Sequence, residues 1–242
     1  MATAVPSPAD QPLFALVSAT CSTIADVLSR LQAIDGLLAA NDGLKWFNRL
    51  YGMVTQEVDL HPPGGAWQNP TWLNRLDVVF AGFYFSAIRD FLTGQPIPSA
   101  WSVLFEARFR TGIDRIQFAL AGMNAHINHD LALALLATDA ELNIVPSLDS
   151  PEHRDFESVN GVLKSLLPSA LNGIATDTLG VLAQDTGKIG RLLAFWDICA
   201  ARELAWDFAN HLRDLAGPIR NAAIDAQDSL TGAIGRAILV MT

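Results

Sequence analysis

Residues 117–137 read QFALAGMNAHINHDLALALLA. At about 100° per residue, Ile116, Leu120, Met123, Ile127 and Leu131 fall on one apolar stripe. Ala119, Ala125, Ala132 and Ala134 are small enough to let neighbouring helices approach closely. Few charges are available to solvate any face of this stretch, so the spacing predicts a central helix with neighbours on several sides. A central helix of that kind suits the middle of an all-α bundle.

The rest of the chain agrees. Sustained two-residue alternation is missing, as is an Asn-Gly or Asp-Gly hairpin between β-rich runs, and helical periodicity dominates. A first helix is expected over Leu13 to Ala40, ending at Asn41-Asp42-Gly43, and a second from there to Asp59. His61-Pro62-Pro63-Gly64-Gly65-Ala66-Trp67 is a loop. Asn69-Pro70 pairs an N-cap with proline at the first helical position, opening a helix that runs to Thr93. Gly94-Gln95-Pro96-Ile97-Pro98 is the next break. Helix then extends from Ser99 to Ala137, interrupted near Gly112. Ser150-Pro151-Glu152 starts another that ends near Pro168, and two or three more follow. The strongest of these is Ile189 to Leu215, terminated by Gly217-Pro218, before a last helix over Ile219 to Val240. The expectation is one compact bundle of about eight helices over residues 12–242, preceded by a disordered tail at 1–11.

Composition narrows the function. Of the 242 residues, 50% are apolar and 17% charged, with a net charge of −9. That balance disfavours a nucleic-acid partner, which needs clustered Lys and Arg, and an anionic membrane surface. No apolar run reaches the roughly 18 residues of a membrane span, and Met1 to Gln11 lacks the basic start of a secretory signal. Cys21 and Cys199 form no disulfide framework and read as buried thiols. These features point to the cytoplasm. Phosphate-loop, dinucleotide, G-x-S-x-G, Cys-pair zinc and Glu-x-x-His patterns are missing, so no nucleotide cofactor is expected.

Chemistry is sought where polar residues interrupt apolar stripes, because burying them costs several kcal/mol unless they are paired. His126 and Asp130 share one flank of the central helix at i, i+4. Asn124 and Asn128 share the other. A His–Asp pair at this spacing can hold one imidazole tautomer for proton transfer or supply two metal ligands. His129, about 60° from His126, can join them or face solvent. A buried hydrogen-bond network that fixes helix packing would use the same residues. Elsewhere, Asp77 shares the stripe of Leu73, Leu76, Phe80, Tyr84 and Ile88, and Arg108 lies on the core side of its helix. The two are expected to form a buried ion pair. Asp155 and Asn160 border Phe156, Val159 and Leu163, and Asp155 suits a helix first turn. Arg202 and Trp206, four apart, suit a cation–π contact. Asp207 and His211 read as a surface pair. His61 and His153 read as solvated histidines.

The segment Met123-Asn124-Ala125-His126-Ile127-Asn128-His129-Asp130-Leu131 resembles a family of bacterial proteins of unknown function, marked by an apolar helix ending in M-N-A-H-I-N-x-D-L. The resemblance runs from about Trp46 to His211. It takes in Phe80-Ala81-x-x-Tyr84, Trp101, Asp155-Phe156 with Asn160, and the spacing of Trp196, Arg202 and Trp206. It implies a helical fold and a set made of Asn124, His126, Asn128 and Asp130, with no activity attached. The pattern leaves the position of His129 unspecified.

Three readings of function stand. In the first, the chain is an enzyme for a small, largely apolar molecule held between helices, performing a cyclisation, isomerisation or hydrolysis. His126 is the acid or base and Asp130 its orienter. Asn124 and Asn128 donate to a substrate oxygen, and Arg202 stabilises charge. Tyr84, Trp101, Trp196 and Trp206 line the pocket. In the second, His126 and Asp130 bind a divalent metal, completed from Asp155, Asp77 or the Ile189 helix. In the third, the protein is a non-catalytic binding or structural bundle.

Overall fold

The computed structural model describes residues 5–176 and 197–240. Among them the regular structure is entirely helical: α1 (Gln11–Ser18), α2 (Ile24–Leu37), α3 (Gly43–Leu60), α4 (Pro70–Leu92), α5 (Ser99–Ala107), α6 (Arg115–Ala125), α7 (Leu131–Leu142), α8 (Pro151–Thr176), α9 (Ile198–Asp214) and α10 (Gly217–Val240). A π-helical turn over His126–Asp130 joins α6 to α7 without a break in the chain direction. The fold is an all-α bundle around one continuous apolar core. No described helix is long and apolar enough to cross a membrane.

Local chemistry sets most boundaries. Thr23 and Asp26 form a capping box that starts α2, so the segment expected as one helix from Leu13 is two, separated at Ala19–Thr23. Asn69 accepts a hydrogen bond from the Trp72 amide at 3.1 Å and Pro70 opens α4, as its sequence requires. Helix α8 does not stop at Pro168 but runs through it to Thr176. An interior proline forfeits one backbone hydrogen bond. Here the cost is offset by Leu167, Ala170, Leu171 and Ile174, which are buried on the core side while Pro168 itself faces solvent.

The expected Asp77–Arg108 pair does not form. The Arg108 carbonyl accepts from the Gly43 amide at 2.7 Å, which sets Arg108 against the start of α3. Its guanidinium then donates to Asp42 through Nε (3.0 Å) and Nη2 (2.6 Å). Asp42 also caps α3, accepting from the Leu44 amide. A two-pronged pair with further hydrogen bonds is the geometry in which a buried ion pair survives its desolvation cost. Asp77 is left facing elsewhere.

Helix α6 and the π turn lie at the centre, against α3, α4, α5, α9 and α10. Gly122 on α6 allows the closest approach, because a Cβ there would collide with the ring of Phe47 on α3. An aromatic ring packed between two helices cannot yield as a flexible side chain can. Gly122→Ala is therefore expected to cost about 1–3 kcal/mol. Gly82→Ala on α4, where an added Cβ meets nothing, should gain about 0.5–1 kcal/mol from helix propensity alone. Urea denaturation midpoints check both, and equal effects at the two positions would contradict the packing described.

Candidate functional site: an aromatic-walled cavity at His126

Two side chains of the π turn and one from α5 meet on one carboxylate. Asp130 is 1% exposed. Its Oδ2 meets His126 Nδ1 at 3.0 Å and the Trp101 indole N–H at 2.9 Å, and its Oδ1 meets His129 Nδ1 at 2.8 Å. Burial alone would raise its pKa, but the hydrogen bonds from His126 and His129 outweigh that and hold Asp130 below the usual carboxylate range. An ionised carboxylate only accepts, so both imidazoles present Nδ1–H to it. The wider turn matters: the Leu131 amide reaches back five residues to the His126 carbonyl, and π turns of this kind recur at functional sites.

The two histidines differ. Burial lowers the pKa of His126, and the bond to Asp130 only partly opposes it. His126 is thus neutral at pH 7, protonated on Nδ1. Its Nε2 is buried with no hydrogen-bond partner among the described residues. Burial also acts to lower His129, but Asp130 and then Asp228 outweigh it and raise the pKa. His129 Nε2 lies 3.8 Å from Asp228, whose carboxylate also caps the α5 amides of Ser99 and Ala100.

The His126 ring is held on several sides. Phe80 stacks on it at 3.5 Å between centroids and 4° between planes. Tyr51 meets it edge-on at 4.6 Å. Beyond it lies a cavity of about 60 Å³. Apolar side chains from α3, α4, α6, α7 and α8 form most of its wall, among them Phe47, Leu76, Met123 and Leu163. Besides His126, its polar groups are Asp77, Arg202, Tyr51 and Thr55. Tyr51 and Thr55 lie one turn apart on α3.

Asp77 and Arg202 bring opposite charges to this wall. Burial pushes the Asp77 carboxyl up to about 7, opposed by the Arg202 charge. Burial lowers Arg202 to about 10, so it stays cationic at neutral pH. Arg202 Nε donates to Asn160 Oδ1 at 2.8 Å and Nη2 to the Phe156 carbonyl at 2.8 Å. Its guanidinium lies 4.2 Å over the Phe156 ring. The contact expected with Trp206 goes to Phe156 instead, because α8 rather than the next turn of α9 covers the guanidinium.

Of the residues singled out by sequence, His126 and Arg202 reach one cavity, with Asp130 directly behind the imidazole. Asn124 and Asn128 lie on the opposite side. Asn128 donates to Asn124 at 2.9 Å, and Asn124 donates to the Thr231 carbonyl on α10 at 2.9 Å. Their amides are used in joining helices. Tyr84 and Trp101 are fully buried behind His126, at 6.2 and 5.9 Å between ring centroids, and do not line the cavity. Trp206 packs on Phe156 and Trp72 outside it. Trp196 lies outside the described residues. Asp155 accepts from the Gln68 and Asn69 amides at 2.8 and 2.7 Å, tying α8 to the loop before α4. Asp207 and His211 are exposed. Among the described residues, no group of three or more His, Cys, Asp and Glu side chains close enough to share an ion includes His126 or Asp130. Sequence reasoning missed Tyr51 and Thr55, and named Asp77 beside His126 only as one option for completing a metal site. The Asp77 signal was present, as a carboxylate on an apolar stripe, but its partner was misassigned.

The raised Asp77 pKa has a thermodynamic sign. Between about pH 4 and about pH 7 the native state holds a proton that the unfolded chain has lost, so this group's contribution to stability falls as pH rises through that window. Asp77→Asn removes the charge and keeps the shape. Its stability relative to wild type should improve by about 1–3 kcal/mol between pH 5 and pH 8. Urea denaturation at the two pH values measures this, and a pH-independent difference would contradict the assignment.

No curated protein and no solved structure matches the chain. Residues 24–241, most of the chain, match the family described as "Family of unknown function (DUF5995)". The central helix, the His126 cavity and the helices around them all lie within that span, and the chain belongs to that family.

Proposed function

We propose that the protein is an enzyme that moves a proton on a small, largely apolar molecule, as an isomerase or cyclase does. The observation that carries this is the unpartnered, buried Nε2 of a neutral His126, whose opposite nitrogen is locked by Asp130. An orphaned buried acceptor costs about 1–3 kcal/mol, and a ring held in one tautomer, with a free lone pair, in the wall of a cavity suits a general base. His126 takes a proton from a carbon activated by a neighbouring oxygen. Arg202 faces the negative charge that develops on that oxygen. Asp77, poised near neutrality, returns a proton at another atom. Two titratable groups pushed apart by their surroundings divide acid and base work in this way.

Two features favour proton transfer over hydrolysis. The wall is predominantly apolar. The cavity is also small, about 60 Å³ against the roughly 300–1,000 Å³ of drug-sized pockets. The reacting part of the substrate is therefore a few heavy atoms. Asn124 and Asn128 take no part in this reading.

A panel of candidate compounds tests this without a physiological substrate in hand. The full chain is incubated in D₂O with small ketones, enones and β-keto acids, and deuterium incorporation is followed by mass spectrometry. Wild type should exchange at least one compound faster than His126→Gln by about 10²-fold or more, with Asp77→Asn intermediate. Equal exchange by wild type and His126→Gln across the panel would overturn the reading.

A further inference from the structure

His153, on the first turn of α8, read from sequence as a solvated histidine, but its side chain is 7% exposed. Trp206 covers it at 4.6 Å and Phe156 at 6.4 Å between ring centroids. Both ring nitrogens are buried, and neither has a hydrogen-bond partner among the described residues. Buried imidazoles normally satisfy both nitrogens. Two carboxylate oxygens approach the ring, Glu157 Oε2 at 3.9 Å from Nδ1 and Glu203 Oε2 at 4.0 Å from Nε2. Both are beyond hydrogen-bonding distance. Two carboxylates from two helices thus face an imidazole without bonding to it.

We propose that His153, Glu157 and Glu203 form a binding site for a divalent transition-metal ion that clips α8 to α9. One ligand atom from each residue can be chosen so that all three lie within 4.8 Å of one another. Ligands at bond lengths of about 2.0–2.2 Å sit at most about 4.4 Å apart, so small movements close the site. The movable partners are the carboxylates, 53% and 40% exposed, while the imidazole is fixed by packing. Glu203 is already oriented: its Oε1 accepts from the Asn160 amide at 2.9 Å, leaving Oε2 for the ion. One imidazole and two carboxylates suit zinc, manganese or cobalt better than an all-oxygen calcium site. Water completes the coordination.

The site also touches the cavity's cation. Asn160 accepts from Arg202 Nε while it donates to Glu203, so an ion that fixes Glu203 steadies Asn160 and, through it, Arg202. Hydrogen bonds to metal ligands act in this way, orienting groups beyond the ion's own contacts.

Full-length protein stripped with chelator and dialysed is titrated with zinc and with manganese by calorimetry. Cobalt is added separately and followed by visible absorption. One equivalent of zinc should bind and raise Tm. Glu157→Gln and Glu203→Gln, both at partly exposed side chains, should each weaken binding about tenfold or more and abolish the Tm increase. The absence of saturable binding of all three ions would overturn the proposal. So would equal affinity in wild type and both variants, which would place the ion elsewhere.

Discussion

A single buried carboxylate organises the centre of this molecule. Asp130 accepts from His126, His129 and Trp101, and without such donors its charge could not be buried at all. The donors come from the π turn itself and from α5. Through His129 the network extends to Asp228 on α10, which in turn caps α5. The π turn brings residues 126, 129 and 130 into register on one carboxylate.

The order imposed by Asp130 is paid for with an unsatisfied group at its far edge. His126 points Nδ1–H inward and leaves Nε2 with no partner among the described residues. A purely structural network tends to close on itself, as the Asn124–Asn128–Thr231 chain does on the opposite flank. The His126 branch ends instead at a cavity that also holds a carboxyl shifted to about 7 and a guanidinium shifted to about 10. Each is a departure from the lowest-energy arrangement, and their coincidence in one place distinguishes this side of the helix from the other.

The fold was legible where local chemistry decides it. The Asn69-Pro70 start of α4, the limits of α3 and the burial of the 117–137 stretch follow from capping residues and apolar spacing. The opposed His126/Asp130 and Asn124/Asn128 pairs followed from a helical wheel. The π turn did not, because a uniform 100° step cannot anticipate one widened turn, and so His129 had no definite place. Partners across the bundle were less legible still. Arg108 finds Asp42 and Arg202 finds Phe156, contacts set by how helices cross. Pro168 remains helical because packing on the far face outweighs a local breaker. His153 appeared solvated because its first-turn position is polar in sequence, while the indole that buries it comes from α9.

Everything at the cavity turns on burial keeping His126 neutral while Asp130 fixes its proton on Nδ1 and leaves Nε2 free. Long-range ¹H–¹⁵N NMR of ¹⁵N-histidine-labelled protein, assigned with His126→Gln, reads protonation at each ring nitrogen. Between pH 7 and pH 8, Nε2 of His126 should resonate as an unprotonated nitrogen and Nδ1 as a protonated one, with its titration displaced to lower pH than that of an exposed histidine. A proton on Nε2 in that range, or titration at the pH of an exposed histidine, would contradict it.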